Sequence, residues 1–150
     1  MSYPTFPSTL RTLFCLAVVV FLGGCARNHE PRLEAYENGA YQPRTVRSYE
    51  VTGQRAGATT TAWAVFTLEN GGQLRVELAI EYNPTPVLGS GHWRLDGPDG
   101  GSGAVHAESI KFLGGQGEGP SFGGRLRLDE NGNPRFRLTL PVRPLRRPAG

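Results

Sequence analysis

From Gln73 to Tyr82 the chain alternates strictly. Leu74, Val76, Leu78, Ile80 and Tyr82 fall on one side, and Gln73, Arg75, Glu77, Ala79 and Glu81 on the other. A period of two belongs to a β-strand with one face on a core and the other in water. Thr60 to Leu68 reads as its hairpin partner through Asn70-Gly71-Gly72. Glycine there supplies positive φ, and the turn puts Ala64, Phe66 and Leu68 beside Leu74 and Val76.

The same pattern returns near the C-terminus. Leu126 and Leu128 lead into Asp129-Glu130-Asn131-Gly132-Asn133, and Phe136, Leu138, Leu140 and Val142 come back with polar residues between them. Thr45 to Val51, Gly91 to Leu95 and Ala104 to Leu113 are weaker strands, separated by Gly, Pro and Asp clusters. With no convincing helix between residues 44 and 150, the expected domain is all-β, a small antiparallel sandwich or barrel of about six to eight strands. Its expected core is Phe66, Leu74, Val76, Leu78, Ile80, Leu126, Leu128, Phe136, Leu138 and Leu140, the apolar phase of each alternating run.

The N-terminal segment is built differently. A polar leader with Arg11 is followed by an almost wholly apolar run from Leu13 to Phe21, then by Leu22-Gly23-Gly24-Cys25. The run falls short of the about 20 apolar residues that a membrane-spanning helix needs. The layout resembles the signal peptide of an exported protein, and its last four residues resemble the lipobox of bacterial lipoproteins. That resemblance implies cleavage after residue 24 and lipidation of Cys25. It implies acyl chains as the membrane anchor and, with Ala26 rather than Asp following the cysteine, an outer-membrane position facing the periplasm. Cys15 would leave with the leader and Cys25 would be consumed by a thioether, so disulfides and cysteine metal sites are not expected in the mature domain. Residues 25–43, polar and interrupted by Pro31, Asn38, Gly39 and Pro43, read as a flexible tether.

No catalytic group, metal set or cofactor motif stands out. Gly114-Gly115-Gln116-Gly117-Glu118-Gly119 lacks the Lys-Ser/Thr of a phosphate loop. His92 and His106 stand without a nucleophile elbow or a metal-ligand spacing. In Gly91-His92-Trp93-Arg94 the pair His92 and Trp93 is a candidate ligand site; the other reading puts Trp93 in the core and leaves His92 solvated. Nucleic acid is not an expected partner. Without Arg11 the 16 basic residues become 15, against 13 acidic ones, and the compartment is wrong.

Placement of arginine is the remaining pointer. If Leu126, Leu128, Phe136 and Leu138 face inward, Arg125, Arg127, Arg135 and Arg137 face outward on one hairpin. The shortest register sets Arg127 opposite Arg135 and Arg125 opposite Arg137. Like charges held opposite destabilise a strand pair by up to about 1 kcal/mol. Either something anionic covers this face, or carboxylates such as Glu77, Glu81 or Glu108 on neighbouring strands balance it. Three functions follow from the sequence: a non-enzymatic lipoprotein module that binds an envelope protein or an anionic envelope component, a small barrel that carries an apolar ligand or lipid, and a hydrolase or other enzyme with a site no motif reveals, which a cleft gathering His92 or His106 with a carboxylate would favour.

Overall fold

The computed structural model describes residues 30–82, 85–113 and 120–150. The lipobox-like segment Leu22-Gly23-Gly24-Cys25 and the Gly114 to Gly119 run lie outside them. The described residues form nine strands and no helix: β1 (Arg32–Glu37), β2 (Ala40–Arg44), β3 (Val46–Ala56), β4 (Thr59–Leu68), β5 (Gln73–Tyr82), β6 (Pro86–Asp96), β7 (Gly101–Leu113), β8 (Ser121–Glu130) and β9 (Asn133–Pro144). All pair antiparallel in one sheet, in the order β2-β1-β9-β8-β7-β6-β5-β4-β3. The domain is all-β, as the alternation predicts.

Connectivity forces the sheet to roll. The two edge strands, β2 and β3, are joined in the chain by Thr45 alone. Laid flat, nine strands would hold those edges about 38 Å apart, at roughly 4.8 Å per strand spacing. One residue cannot span that, so the sheet curls until its edges meet at the Thr45 end. At the other end the segment after β9 bridges the gap. The Gly53 N–H donates to the Arg146 carbonyl at 2.8 Å, and Thr52 and Arg146 form an isolated parallel bridge. Among the described residues no ladder joins β2 to β3. The result is a curled half-barrel with one seam.

Its concave face is the core. All ten of the core residues expected from the alternation are buried, joined by Leu33, Ala35, Trp93, Leu95, Val105, Phe112, Phe122 and Leu145 among others. The turn after β4 pairs Phe66 with Leu74 and Ala64 with Val76, with Gly71 at φ 84°.

Two expectations are corrected. The domain begins at Pro31 rather than at Arg44, because residues 32–44, expected as tether, form the hairpin β1-β2. Leu33 and Ala35 are buried against β9, and Asn38-Gly39 make the turn with φ of 52° and 82°. Positive φ at both central residues is the type I′ hairpin signature of Asn-Gly.

The second correction concerns register on the last hairpin. Arg127 lies opposite Arg137 and Arg125 opposite Thr139, while Arg135, between the paired Pro134 and Phe136, has no partner of its own. The turn is the two residues Asn131-Gly132, at φ 51° and 82°. Carried on without irregularity, its Glu130–Asn133 pairing would set Leu126 against Arg137, an inward residue against an outward one. A bulge between Leu128 and Asp129 takes up the extra residue and restores Leu126 to Leu138 and Leu128 to Phe136.

Candidate functional site

The convex face over β7, β8, β9, β1 and β2 carries the densest polar cluster among the described residues. Arg127 donates from Nε and Nη2 to the two carboxylate oxygens of Asp129, at 2.9 and 3.1 Å. Residues two apart on a strand share a face, so the pair is set by their spacing in the chain. The Asp129 side chain is only 6% exposed, and His106 Nε2 lies 3.3 Å from its Oδ2. Asp129 thus serves as a nearly buried anion that fixes a guanidinium on one side and faces an imidazole on the other. The hydrogen bond to Asp129, reinforced by its charge, raises the pKa of Arg127 above the usual arginine value.

Beside this, Arg137 Nη2 donates to Glu108 Oε1 at 3.2 Å, and its guanidinium carbon stands 3.8 Å over the Tyr41 ring. Tyr41 meets Tyr36 edge to face at 5.0 Å. Burial raises the Tyr41 pKa, partly offset by the positive charge of Arg137. Arg135 pairs with Glu130 and donates from Nη2 to the Asp99 carbonyl at 2.8 Å. Arg125 is exposed, with its backbone N–H donating to Ser109 Oγ at 3.2 Å.

The four arginines are therefore not a bare cationic stripe. Arg127, Arg135 and Arg137 each hold a carboxylate, and Glu108 is one that the sequence nominated. The face is a mixed mosaic of guanidinium, carboxylate and phenol. Fixing the forks in this way removes much of the rotamer freedom that a partner would otherwise have to freeze.

His92 and Trp93 separate. Trp93 is 1% exposed in the core, where its Nε1 donates to the Asp129 carbonyl at 2.9 Å and its ring meets Phe136 edge to face. His92 is on the convex face, 3.9 Å from Glu77, and Glu77 accepts a 3.1 Å bond from Trp63 Nε1. Tyr36, Tyr41 and Trp63 are convex-face aromatics that the apolar alternation gives no reason to single out. Their signal was their place in the polar phase, where an aromatic side chain has no core to fill.

Two open clefts lie at the ends of the roll. One of about 640 Å³ sits near Thr45, floored by Leu68, Leu95 and Phe136 and rimmed by Glu37, Arg44, Asp99 and Arg135. The other, about 630 Å³, follows the seam over Val51, Phe122 and Leu140, with Arg143, Arg146 and Arg147 at its edge. Between them the concave face is filled by side chains. Among the described residues no group of three or more His, Cys, Asp and Glu is placed to hold a metal ion. No protein family, curated protein or solved structure gives a significant match to this chain.

Proposed function

We propose that this is a lipid-anchored protein of the bacterial envelope, acting without catalysis as a binding or assembly module, with its convex mosaic face turned to a protein partner. The lipobox at Leu22-Gly23-Gly24-Cys25 supports the anchor and the outer-membrane, periplasm-facing location. The observation that carries the binding reading is the stack of Arg137 over Tyr41 beside Tyr36 and the Arg127–Asp129 pair. Tyrosine and arginine are the residue types that interfaces concentrate, since each offers a large, stiff contact area with a polar tip.

Charge decides between partner classes. A polyanion is best met by uncompensated cations, whereas paired forks interleaved with Glu108 and Asp129 suit a surface that is itself mixed, as another protein is. A carrier of an apolar ligand has less support, because side chains fill the concave face and the two clefts described lie at the ends of the roll.

Photo-crosslinking in cells tests the reading. A crosslinker replacing Tyr41 should capture a discrete envelope protein, and one replacing Arg75, on the convex face of β5, should not. Indistinguishable profiles from the two positions would remove the assignment of this face. Loss of acyl label in Cys25→Ser checks the anchor separately.

A further inference from the structure

We infer that the seam cleft is a seat for anionic phospholipid headgroups, which fixes the orientation of the domain on the membrane that anchors it. This rests on the reading of Cys25 as the lipidated residue. Three observations carry it. The first is reach: Pro31 lines the seam cleft and stands six positions after Cys25 in the sequence. Even a fully extended chain of that length covers at most about 20 Å. Because β1 begins at Arg32, no long spacer separates the anchor from this end of the roll.

The second is charge. Arg146 and Arg147 line the cleft beside Arg143, which donates to the Tyr49 hydroxyl at 3.0 Å, and Glu50 is the one carboxylate in that lining. The Arg146 and Arg147 side chains are exposed. The third is the floor: Val51, Phe122, Leu140 and Leu145 line the same cleft. Guanidinium over an apolar floor suits the boundary where phosphate gives way to glycerol and acyl chain, since arginine forks bind phosphate oxygens bidentately. The opposite end of the roll carries the turn Asn131-Gly132. The length of β9, Asn133–Pro144, sets it about 36 Å away at roughly 3.3 Å per residue.

The test uses the processed, full-length protein reconstituted through its anchor into phosphatidylcholine vesicles, with or without phosphatidylglycerol. A dye is placed on Ala149→Cys at the cleft or on Asn131→Cys at the far turn, and energy transfer to a headgroup-labelled lipid is read. Transfer from position 149 should be strong with phosphatidylglycerol, and should fall without it, in high salt, and in R146Q/R147Q. Transfer from position 131 should stay weak throughout. Equal transfer from position 149 in both vesicle types and in the double variant overturns the proposal. The mass of the N-terminal peptide reads the anchor independently. If Cys25 carries no acyl group, the same protein is mixed with free vesicles. Cosedimentation specific to phosphatidylglycerol, weakened roughly fivefold per arginine removed, then upholds the cleft, and its absence refutes it.

Discussion

Gly103→Ala should destabilise the domain more than any exposed substitution, because of what surrounds that one position. Gly103 lies on β7 directly opposite Trp93 and one residue before the partner of Asp129. An added Cβ would overlap the Asp129 carbonyl oxygen outright, and would stand 2.8 Å from the Asp129 carbonyl carbon and 3.0 Å from Trp93 Nε1. Backbone must move, since the obstacle is not the end of a flexible side chain. The same carbonyl accepts the buried Trp93 bond at 2.9 Å. Overpacking of this kind costs about 1 to 3 kcal/mol, and a buried donor left without its acceptor a further ~1 to 3 kcal/mol. The expected loss is therefore about 2 to 6 kcal/mol, out of the ~5 to 15 kcal/mol that a domain usually has.

Urea unfolding followed by tryptophan fluorescence measures it. A double-mutant cycle with Trp93→Phe then shows whether the loss runs through the shared carbonyl. The two substitutions should couple by at least about 0.5 kcal/mol, because once the indole donor is gone the displaced carbonyl strands nothing. A Gly103→Ala variant within about 0.5 kcal/mol of wild type, with the same denaturant slope, would refute the account of how β7 sits on β8.

The remaining expectations follow from burial, titration and the seam. Leu78→Ala and Leu138→Ala, at 1% and 0% exposure, should each lose about 2 to 5 kcal/mol in denaturant titration, while Val142→Ala on the exposed face changes little. Burial raises the Tyr41 pKa above the ordinary 10.0. Its contribution to stability is thus full below the unfolded value and is lost as pH rises through the folded one. Phenolate absorbance should show a late component that Tyr41→Phe removes and that Arg137→Gln moves higher still; a Tyr41→Phe titration lacking only an early component would contradict this. Deleting Leu145–Gly150 removes a leucine that is 7% exposed and should lose about 1.5 to 3 kcal/mol. It should also produce concentration-dependent association in sedimentation, and unchanged stability would deny the tail its role in closing the seam.

The strands most legible in the sequence are those with one wet and one dry face. Gln73–Tyr82 alternates without a break, and the Asn70-Gly71-Gly72 turn before it fixes Thr60–Leu68 as its partner, so phase, partner and turn could all be read from this hairpin. β1 and β2 could not, because each is short and Pro43 breaks the pattern of β2, although a proline is tolerated on an edge strand with no further ladder to serve. The Asn38-Gly39 hairpin signal was present but stood among residues too polar to read as strands. The arginine register was missed for a different reason. Nothing local distinguishes a two-residue turn followed by a bulge from a longer loop; what decides is the need to set Leu126 against Leu138, a tertiary demand. The Asp129 anchor was half visible, since Arg127 and Asp129 share a face by spacing, but its burial and its approach to His106 on β7 are tertiary.

The open seam poses a problem that the chain solves with small local devices. Unpaired edges invite pairing with another molecule, and this sheet has two, side by side. β2 is held to five residues and carries Pro43. β3 is irregular between Val46 and Ser48, and farther along it the tail lies across the edge. A glycine suits that cover. At Gly53 a Cβ would stand 2.6 Å from Leu145 Cδ1 and 3.0 Å from its Cβ, so a larger residue would make the Leu145 side chain shift. A glycine inside a strand is a liability by propensity alone. Here the buried leucine and the Gly53–Arg146 hydrogen bond beside it offset that liability, and they turn a free edge into the floor of the arginine-rimmed cleft.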